Sequence, residues 1–426
     1  MDSHSLVATE PVSASDTSDE RQYGLPATVK FCRKCVMPNS RPSSCNEYQH
    51  NIRLKHRYIE LDEEGVCSAC RFCEAKYDGT INWQEREKEL LELLAQYRST
   101  DGSYDVLVPG SGGKDSCYAA HVLKYKYGMH PLTVTWAPHL YTDIGFRNFQ
   151  NWIHIGGFDN YLFTPNGRTH RLLTRNAFLH LLHPFQLFIL GQKTFAVKMA
   201  IKFNIPLIFY GESPGEYGAN ISIHQKKFSS DDNNNAGFRF DFLQGRSLDQ
   251  IYLGGVSVAE YLEKGISKGD LEPYFPADPA EIERQKIEFH YLGYYLNWHP
   301  QETFYYAVKH CGFEAAPERT PGTYSKYNSL DDRTDDFFYY TTLIKFGYGR
   351  ATQDASQEIR NKEITREEGV ALVHRFGREF PQRHFKDFLQ YIDIDEKKFW
   401  ETVDSYRDLS LWEKTSEGWK LKHIVQ

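Results

Sequence analysis

Val108-Pro-Gly-Ser-Gly-Gly-Lys-Asp-Ser116 is the stretch on which the fold turns. The apolar run 105–109 reads as a short buried strand, and residues 114–127 read as a helix. Between them Gly110, Gly112 and Gly113 let the backbone turn sharply and present its N–H groups. Ser111 and Ser116 add hydroxyls, and Lys114 adds charge if its side chain faces the turn. The helix start aims its positive dipole end at the same point, so the turn can cradle an anion. It is not the G-x-x-x-x-G-K-[ST] loop, because Asp115 follows Lys114, and it is not G-x-G-x-x-G. The bland alternative is a Gly-rich turn with no ligand.

Working outward, residues 131–136, 160–164 and 206–210 read as further strands, with helices between them up to about Phe203. Strand, crossover helix, strand predicts an α/β fold with a parallel sheet covered on both faces. Ligands bind beyond the C-terminal strand ends of such sheets. Both the Gly-rich turn and Gly211-Glu212-Ser213 fall there. The polar segment 214–250 predicts a mobile loop or lid. Residues 256–426 read as mainly helical. One helix there opens with a Thr365/Glu368 capping box and ends near Gly377.

Toward the N-terminus, residues 82–98 predict an amphipathic connector helix within 81–100. Residues 30–80 hold most of the cysteines, and residues 1–29 are Ser-, Asp- and Glu-rich with few apolar anchors, a disordered tail. The sheet domain is expected over 101–255. The 426 residues allow roughly three domains. Fifty basic against 57 acidic residues leave a net charge of −7, which argues against binding nucleic acid through bulk charge. No run reaches the ~18 apolar residues of a membrane span, and the N-terminus lacks a secretory pattern. A cytoplasmic location without membrane insertion is expected.

Six of the eight cysteines lie between Cys32 and Cys73. Cys32-x-x-Cys35 and Cys67-x-x-Cys70 suit four-thiolate tetrahedral zinc of structural type. Cys45 and Cys73 leave an iron–sulfur cluster or reduced thiols open as alternatives.

Ser111-Gly-Gly-Lys-Asp-Ser116 after a strand resembles the pyrophosphate (PP) loop of the N-type ATP pyrophosphatases. Beyond about residue 30 the chain resembles the N-acetyl sugar amidotransferases of bacterial surface-polysaccharide, O-antigen and nonulosonic-acid biosynthesis. The marks are Cys32-Arg-Lys-Cys-Val-Met-Pro38 with Arg41-Pro42, Gly65-Val-Cys-Ser-Ala-Cys70, the loop itself, and Trp136-Ala-Pro-His139 with Thr142-Asp-Ile-Gly145. They continue with His183-Pro-Phe-Gln186, Gly191-Gln192-Lys193, Gly211-Glu212 with Glu216-Tyr-Gly218, Lys345-Phe-Gly-Tyr-Gly-Arg350 and Ile364-Thr-Arg-Glu-Glu368. One departure is Phe376-Gly-Arg-Glu-Phe-Pro381 where the family has Asp-Gly-Glu-Phe-Pro; the region reads as structural. The resemblance implies ATP-dependent conversion of an acetamido group on a UDP- or CMP-linked sugar to an acetamidino group. An O-adenylyl imidate would form, and ammonia would displace AMP. It implies ATP and Mg2+ beside structural zinc.

Site expectations follow. Gly110 to Ser116 hold the pyrophosphate, with Ser111, Lys114, Asp115 and Glu212 catalytic. Asp115 orients the loop, binds magnesium through water, or is a helix-start carboxylate. Glu212 contacts magnesium or substrate, or forms a structural ion pair. Trp136 and Ala137 mark the adenine position, unless Trp136 is plain core. His139, Gln186, Gln192, Lys193, Tyr217, Asn220 and Arg350 are expected at the sugar, each with a core or solvated role as the alternative. Asp354 and Arg360 are weaker candidates of the same kind. The acid run Asp331, Asp332, Asp335 and Asp336 reads as a surface face. Neither Cys117, inside the loop helix, nor Cys311 has the surroundings of a glutaminase nucleophile. A separate glutaminase resembling the imidazole-glycerol-phosphate synthase subunits, or free ammonia, is therefore expected. The competing readings are a tRNA thiolase or other tRNA-modifying enzyme of the same superfamily, and a non-catalytic nucleotide-binding zinc scaffold.

Overall fold

Val106–Pro109 (β1) and Pro131–Trp136 (β2) are buried at every position, as strands covered on both faces must be. They form the middle of a five-stranded sheet in a computed structural model that describes residues 24–43, 47–217 and 246–426. Asp159–Phe163 (β3) forms one edge, and its exposed positions match that place. Leu207–Tyr210 (β4) pairs with β1 on the other side, and a fifth strand, Glu288–Tyr291, closes the sheet beyond it. All pairings are parallel, with Val106 opposite Pro131, Leu107 opposite Ile208, Leu132 opposite Asp159 and Leu207 opposite Glu288. The sheet therefore does not end at residue 255, where the sequence placed its boundary. Glu-Phe-His-Tyr is only four residues long and, beside its two aromatics, carries no β-branched residue, a weak strand signal.

Alternation along β1 splits the core into two layers. Val106 and Val108 face Leu90, Leu94, Trp152 and Ala307. Leu107 faces Val134, Ala196, Val197 and Phe289. The connector helix Trp83–Tyr97 is capped by Asn82 and sends Leu90 and Leu94 into the first layer, while Leu91 is left exposed. Each such fully buried leucine contributes about 1.5–3 kcal/mol. It is thus a packed part of the sheet domain rather than a free linker.

The helix after β1 is Lys114–His121, continued by one π turn at Val122–Lys126. Helix Gln186–Phe203 lies against β1, β2 and β4. The cysteine module, with Met37 and Val66, shares one apolar cluster with Phe337, Phe388 and Phe399 of the C-terminal helices. Ser40 also donates to the Phe346 carbonyl at 2.7 Å. The C-terminal region is mainly helical, as expected, and ends in the hairpin Trp412–Thr415 with Gly418–Leu421. Thr365 and Glu368 form the expected capping box. Among the described residues no helix is long and apolar enough to cross a membrane. Residues 1–23, Cys45 and, of the lid expected over 214–250, residues 218–245 with Asn220 lie outside the described residues.

Candidate active site

β1 pairs with β2 on one side and β4 on the other, so the chain reverses its winding between β1 and β4. That switch point opens a crevice at the strand ends, the ligand position of open parallel sheets. The loop Gly110–Gly113 leaves β1 there and Gly211-Glu212 leaves β4 beside it. The two turns touch. A Cβ on Gly211 would lie 2.1 Å from the Asp115 carbonyl oxygen, so only glycine permits that approach.

Gly112 carries φ +84, and a Cβ there would fall 2.7 Å from the Phe149 backbone. Gly113 has open space where a Cβ would be and stands just before the first helical residue. Its neighbourhood thus combines backbone amides, helix dipole and room, the physical requirements of a phosphate cradle. Ser116 does not point at that room. It donates to the Gly113 carbonyl at 3.0 Å, and Cys117 Sγ donates to Gly112 at 3.4 Å, so both brace the loop.

Lys114 is buried and pairs with Asp115 Oδ2 at 2.7 Å. Asp115 Oδ1 accepts from the Trp298 indole at 3.2 Å. Glu212 faces the same group of charges. Burial raises its carboxyl pKa and Asp115 raises it further, while Lys193 and Lys114 pull it down. Its Oε2 is shielded and has no hydrogen-bond partner among the described residues. A lone carboxylate oxygen of that kind is a hard donor suited to Mg2+. Lys193 is buried with its ammonium 3.8 Å from the Tyr210 ring centre, and burial lowers its pKa to about 8 against the pull of Glu212. Burial raises the Tyr217 hydroxyl, and Asp115 and Glu212 act on it in the same direction while Gln357 hydrogen-bonds it.

The acid run is not a surface face. Asp332, Asp335 and Asp336 are all buried. Asp332 latches the loop after β2, accepting from the backbone N–H of His139 at 2.5 Å and Leu140 at 3.3 Å and from the Thr334 hydroxyl at 2.8 Å. Burial raises the Asp331 carboxyl pKa, and Ser111 of the nearby phosphate loop pulls it down. Its backbone packs so closely on Gly145 that a Cβ there would lie 2.3 Å from the Asp331 Cα. Arg350 ion-pairs with Asp354 at 2.9 Å, hydrogen-bonds Tyr339, and feels Asp335 and Tyr217. Asp354 is buried and is not on a solvated face.

The structure thus brings Ser111, Lys114, Asp115, Lys193, Glu212, Tyr217 and Arg350 toward one crevice. Other expected residues have different work. Trp136 is 2 % exposed and packs on Phe163 and Tyr274, with Gly191 pressed against its indole. It is core, and the adenine role expected of its side chain does not fit that placement. Ala137 is buried and extends the β2–β3 pairing by donating to Phe163 at 2.9 Å. Gln186 is fully buried, with its amide divided between the Glu47 carbonyl and the Gly254 N–H, so it braces the fold rather than meeting a sugar. His139 stacks on His170 at 4.4 Å and meets the Tyr391 hydroxyl at 3.1 Å. Gln192 is half-buried on helix Gln186–Phe203. Sequence reasoning missed Trp298 and Asp331 as site residues; the Asp331 signal was the acid run itself.

Cys32, Cys35, Cys67 and Cys70 are buried and offer sulfurs all within 4.8 Å of one another. The Cys32–Cys70 and Cys35–Cys67 sulfurs are 3.8 Å apart. A tetrahedral ion with Zn–S of about 2.3 Å sets its sulfurs about 3.8 Å apart, so the four residues fit one zinc ion. Cys67 N–H and Arg360 point at the Cys32 and Cys35 sulfurs, which favours thiolates. Cys73 is outside this set, and burial raises its thiol pKa. A buried network joins this centre to the crevice. Lys76 Nζ donates to Glu216 Oε1 at 2.8 Å, the Trp298 carbonyl at 2.5 Å and Asn361 Oδ1 at 2.7 Å. Arg360 donates to the Glu216 carbonyl at 2.7 Å.

Residues 321–425 match the family model described as LPS biosynthesis protein WbpG-like, C-terminal domain. The match covers the C-terminal quarter of the chain. Asp331, Arg350 and Arg360 all lie in the matched segment, and Asp331 is the one whose carboxyl feels Ser111 of the phosphate loop. A curated protein of Methanocaldococcus jannaschii, Uncharacterized protein MJ1599, is 31% identical over 90 residues, 21% of this chain and 31% of its own length. The match thus spans about a third of that relative. Among solved structures, NMN synthetase from Francisella tularensis is 12% identical over 48% of this chain and 91% of that one, TM-score 0.24. An NH3-dependent NAD synthetase from Campylobacter jejuni is 11% identical over 48% and 93%, TM-score 0.26. The U34-tRNA thiolase NcsA from Methanococcus maripaludis, with its [4Fe-4S] cluster, is 11% identical over 78% and 86%, TM-score 0.26. Scores this low carry no weight by themselves; the PP-loop fold rests on the sheet order and the loop at its switch point.

Proposed function

We propose that the protein is an ATP-dependent amidotransferase that converts an acetamido group of a nucleotide-activated sugar to an acetamidino group in bacterial surface-glycan biosynthesis. The observation that carries this reading is the glycine loop at the switch point of the parallel sheet, in a chain whose residues 321–425 match a domain of the kind found in LPS biosynthesis proteins. An amide carbonyl is a weak electrophile, and its oxygen leaves poorly. Attack of that oxygen on the α-phosphorus of ATP releases pyrophosphate and forms an O-adenylyl imidate. Ammonia adds to the imidate carbon, AMP departs with the oxygen, and loss of a proton leaves the amidine. The chain's task is to orient and to stabilise charge.

Gly110 to Gly113 and the amides at the helix start bind the departing pyrophosphate. Lys114, held by Asp115, adds positive charge beside it. Glu212 and Asp115 would hold Mg2+, which neutralises phosphate charge. Arg350 and Tyr217 face the sugar side of the crevice, with Lys193 beneath Glu212. The zinc ion would be structural. Ammonia comes from a separate glutaminase or from solution, and the reaction is cytosolic.

The test is mass spectrometry of UDP- and CMP-linked acetamido sugars incubated with the protein, Mg-ATP and ammonium. Replacement of O by NH, with stoichiometric AMP, is the expected result, and Ser111→Ala and Asp115→Ala should each abolish it. Full conversion by both variants would remove the loop from the chemistry. AMP formation that requires tRNA instead would favour the thiolase reading.

A further inference from the structure

A second buried cluster lies among residues that the phosphate loop does not use. Glu47, His50 and His183 each offer one ligand atom, and these atoms lie within 4.8 Å of one another. Glu47 and His50 bracket the short turn Glu47–Gln49, whereas His183 sits between helices Gly167–Leu181 and Gln186–Phe203. His50 Nδ1 is 3.3 Å from Glu47 Oε2, and His183 Nε2 is 3.9 Å from Glu47 Oε1. Three donors bound tetrahedrally at about 2.1 Å from one zinc ion stand about 3.4 Å apart. The observed pair brackets that spacing, and 3.9 Å is too long for a good hydrogen bond.

The donors are also fixed in advance of any ion. Gln186 donates to the Glu47 carbonyl at 2.9 Å, and Phe338 stacks on His183 at 5.0 Å. The side chains of His50, Glu47 and His183 are only 5, 16 and 12 % exposed. His183 Nδ1 is shielded with no hydrogen-bond partner among the described residues, and so is Nδ1 of His56, whose ring lies 5.1 Å from His50. The nearby ammonium of Lys345 donates to the Leu181 carbonyl at 2.7 Å.

We infer that Glu47, His50 and His183 form a second metal centre for a zinc-class divalent ion. Two imidazoles and one carboxylate are a donor set that zinc accepts with its fourth position open to water or a further ligand. The ion clasps the Glu47 segment of the N-terminal module to the helix that lies on the sheet. This centre is separate from the four cysteines and does not depend on the sugar chemistry.

The experiment is metal analysis of the full-length chain, loaded with zinc and then desalted. The wild type should hold two zinc ions per chain. His183→Ala and His50→Ala should each hold one, with unchanged circular dichroism. Should either alanine variant fold poorly, Glu47→Gln keeps the shape and should still lose the second ion. Cobalt loading separates the centres: thiolate-to-cobalt bands should persist in His183→Ala, while the visible bands of the nitrogen and oxygen site disappear. A wild type that holds a single ion, or variants that keep two, would overturn the inference and leave the trio as a hydrogen-bonded brace.

Discussion

Lys76→Met is a direct test of how the cysteine module is joined to the crevice. Methionine keeps most of the lysine stem, so packing is little changed and the charge is what is removed. The ammonium places all three of its hydrogens, on Glu216, the Trp298 carbonyl and Asn361. Its side chain is 1 % exposed and that of Glu216 is 0 % exposed, so water cannot replace it. After the substitution Glu216 retains Asn361 at 3.1 Å and a distant Arg360 at 3.9 Å. Removing one partner of a buried pair costs about 3–5 kcal/mol, because the remaining charge is left uncompensated. Set against a total stability of about 5–15 kcal/mol, that is a large fraction. Urea unfolding followed by tryptophan fluorescence should show the loss as a lower midpoint with an unchanged slope. The double variant Lys76→Met/Glu216→Gln should recover part of it, since no carboxylate then remains buried without its ammonium. A single variant that loses less than about 1 kcal/mol, or a double variant no better than the sum of the singles, would refute the reasoning.

Gly112→Ala should lose AMP-forming activity and destabilise the chain by more than the roughly 1–2 kcal/mol of a left-handed residue, because its Cβ also meets the Phe149 backbone; turnover and thermal unfolding measure the two effects. Burial raises the Asp336 carboxyl to about 7 against the pull of Arg383, so the folded state keeps its proton longer than the unfolded chain does. Its contribution to stability should therefore fall as pH rises from about 4 to 7, and Asp336→Asn should flatten that part of a melting-temperature profile. Stripping the metal with a strong chelator should lower the melting temperature and expose Cys32, Cys35, Cys67 and Cys70 to a thiol reagent, with zinc restoring both. Retention of the full melting temperature in the metal-free protein would count against a folding role for the ion.

The loop and the sheet were legible because their signals are local. Three glycines, a strand before and a helix after define the Gly110–Ser116 turn without any distant partner. The same holds for the paired Cys-x-x-Cys turns and for the Thr365 capping box. The fifth strand was missed because its pairing with β4 is long-range and it is only four residues long. The acid run was misread for a related reason. Consecutive aspartates read as solvated until the fold supplies buried donors, and the donors to Asp332 come from His139 and Leu140, nearly two hundred positions earlier. Trp136 shows the converse error. Its place at a strand end is what the sequence offers, but Gly191 lets a helix close over the indole and turns it inward.

The Asp331 contact has a consequence for how the molecule can be divided. On the proposed function, Ser111 lies in the phosphate loop and Asp331 in the segment matched by the WbpG-like domain model, so the site would draw on both. A fragment cut before residue 321 would keep every glycine of the turn and still lose the Asp331 side of the crevice. If the proposed reaction holds, ATP activation would require residues 321–425 as well as the loop, so that the nucleotide is not lost to water without an acceptor.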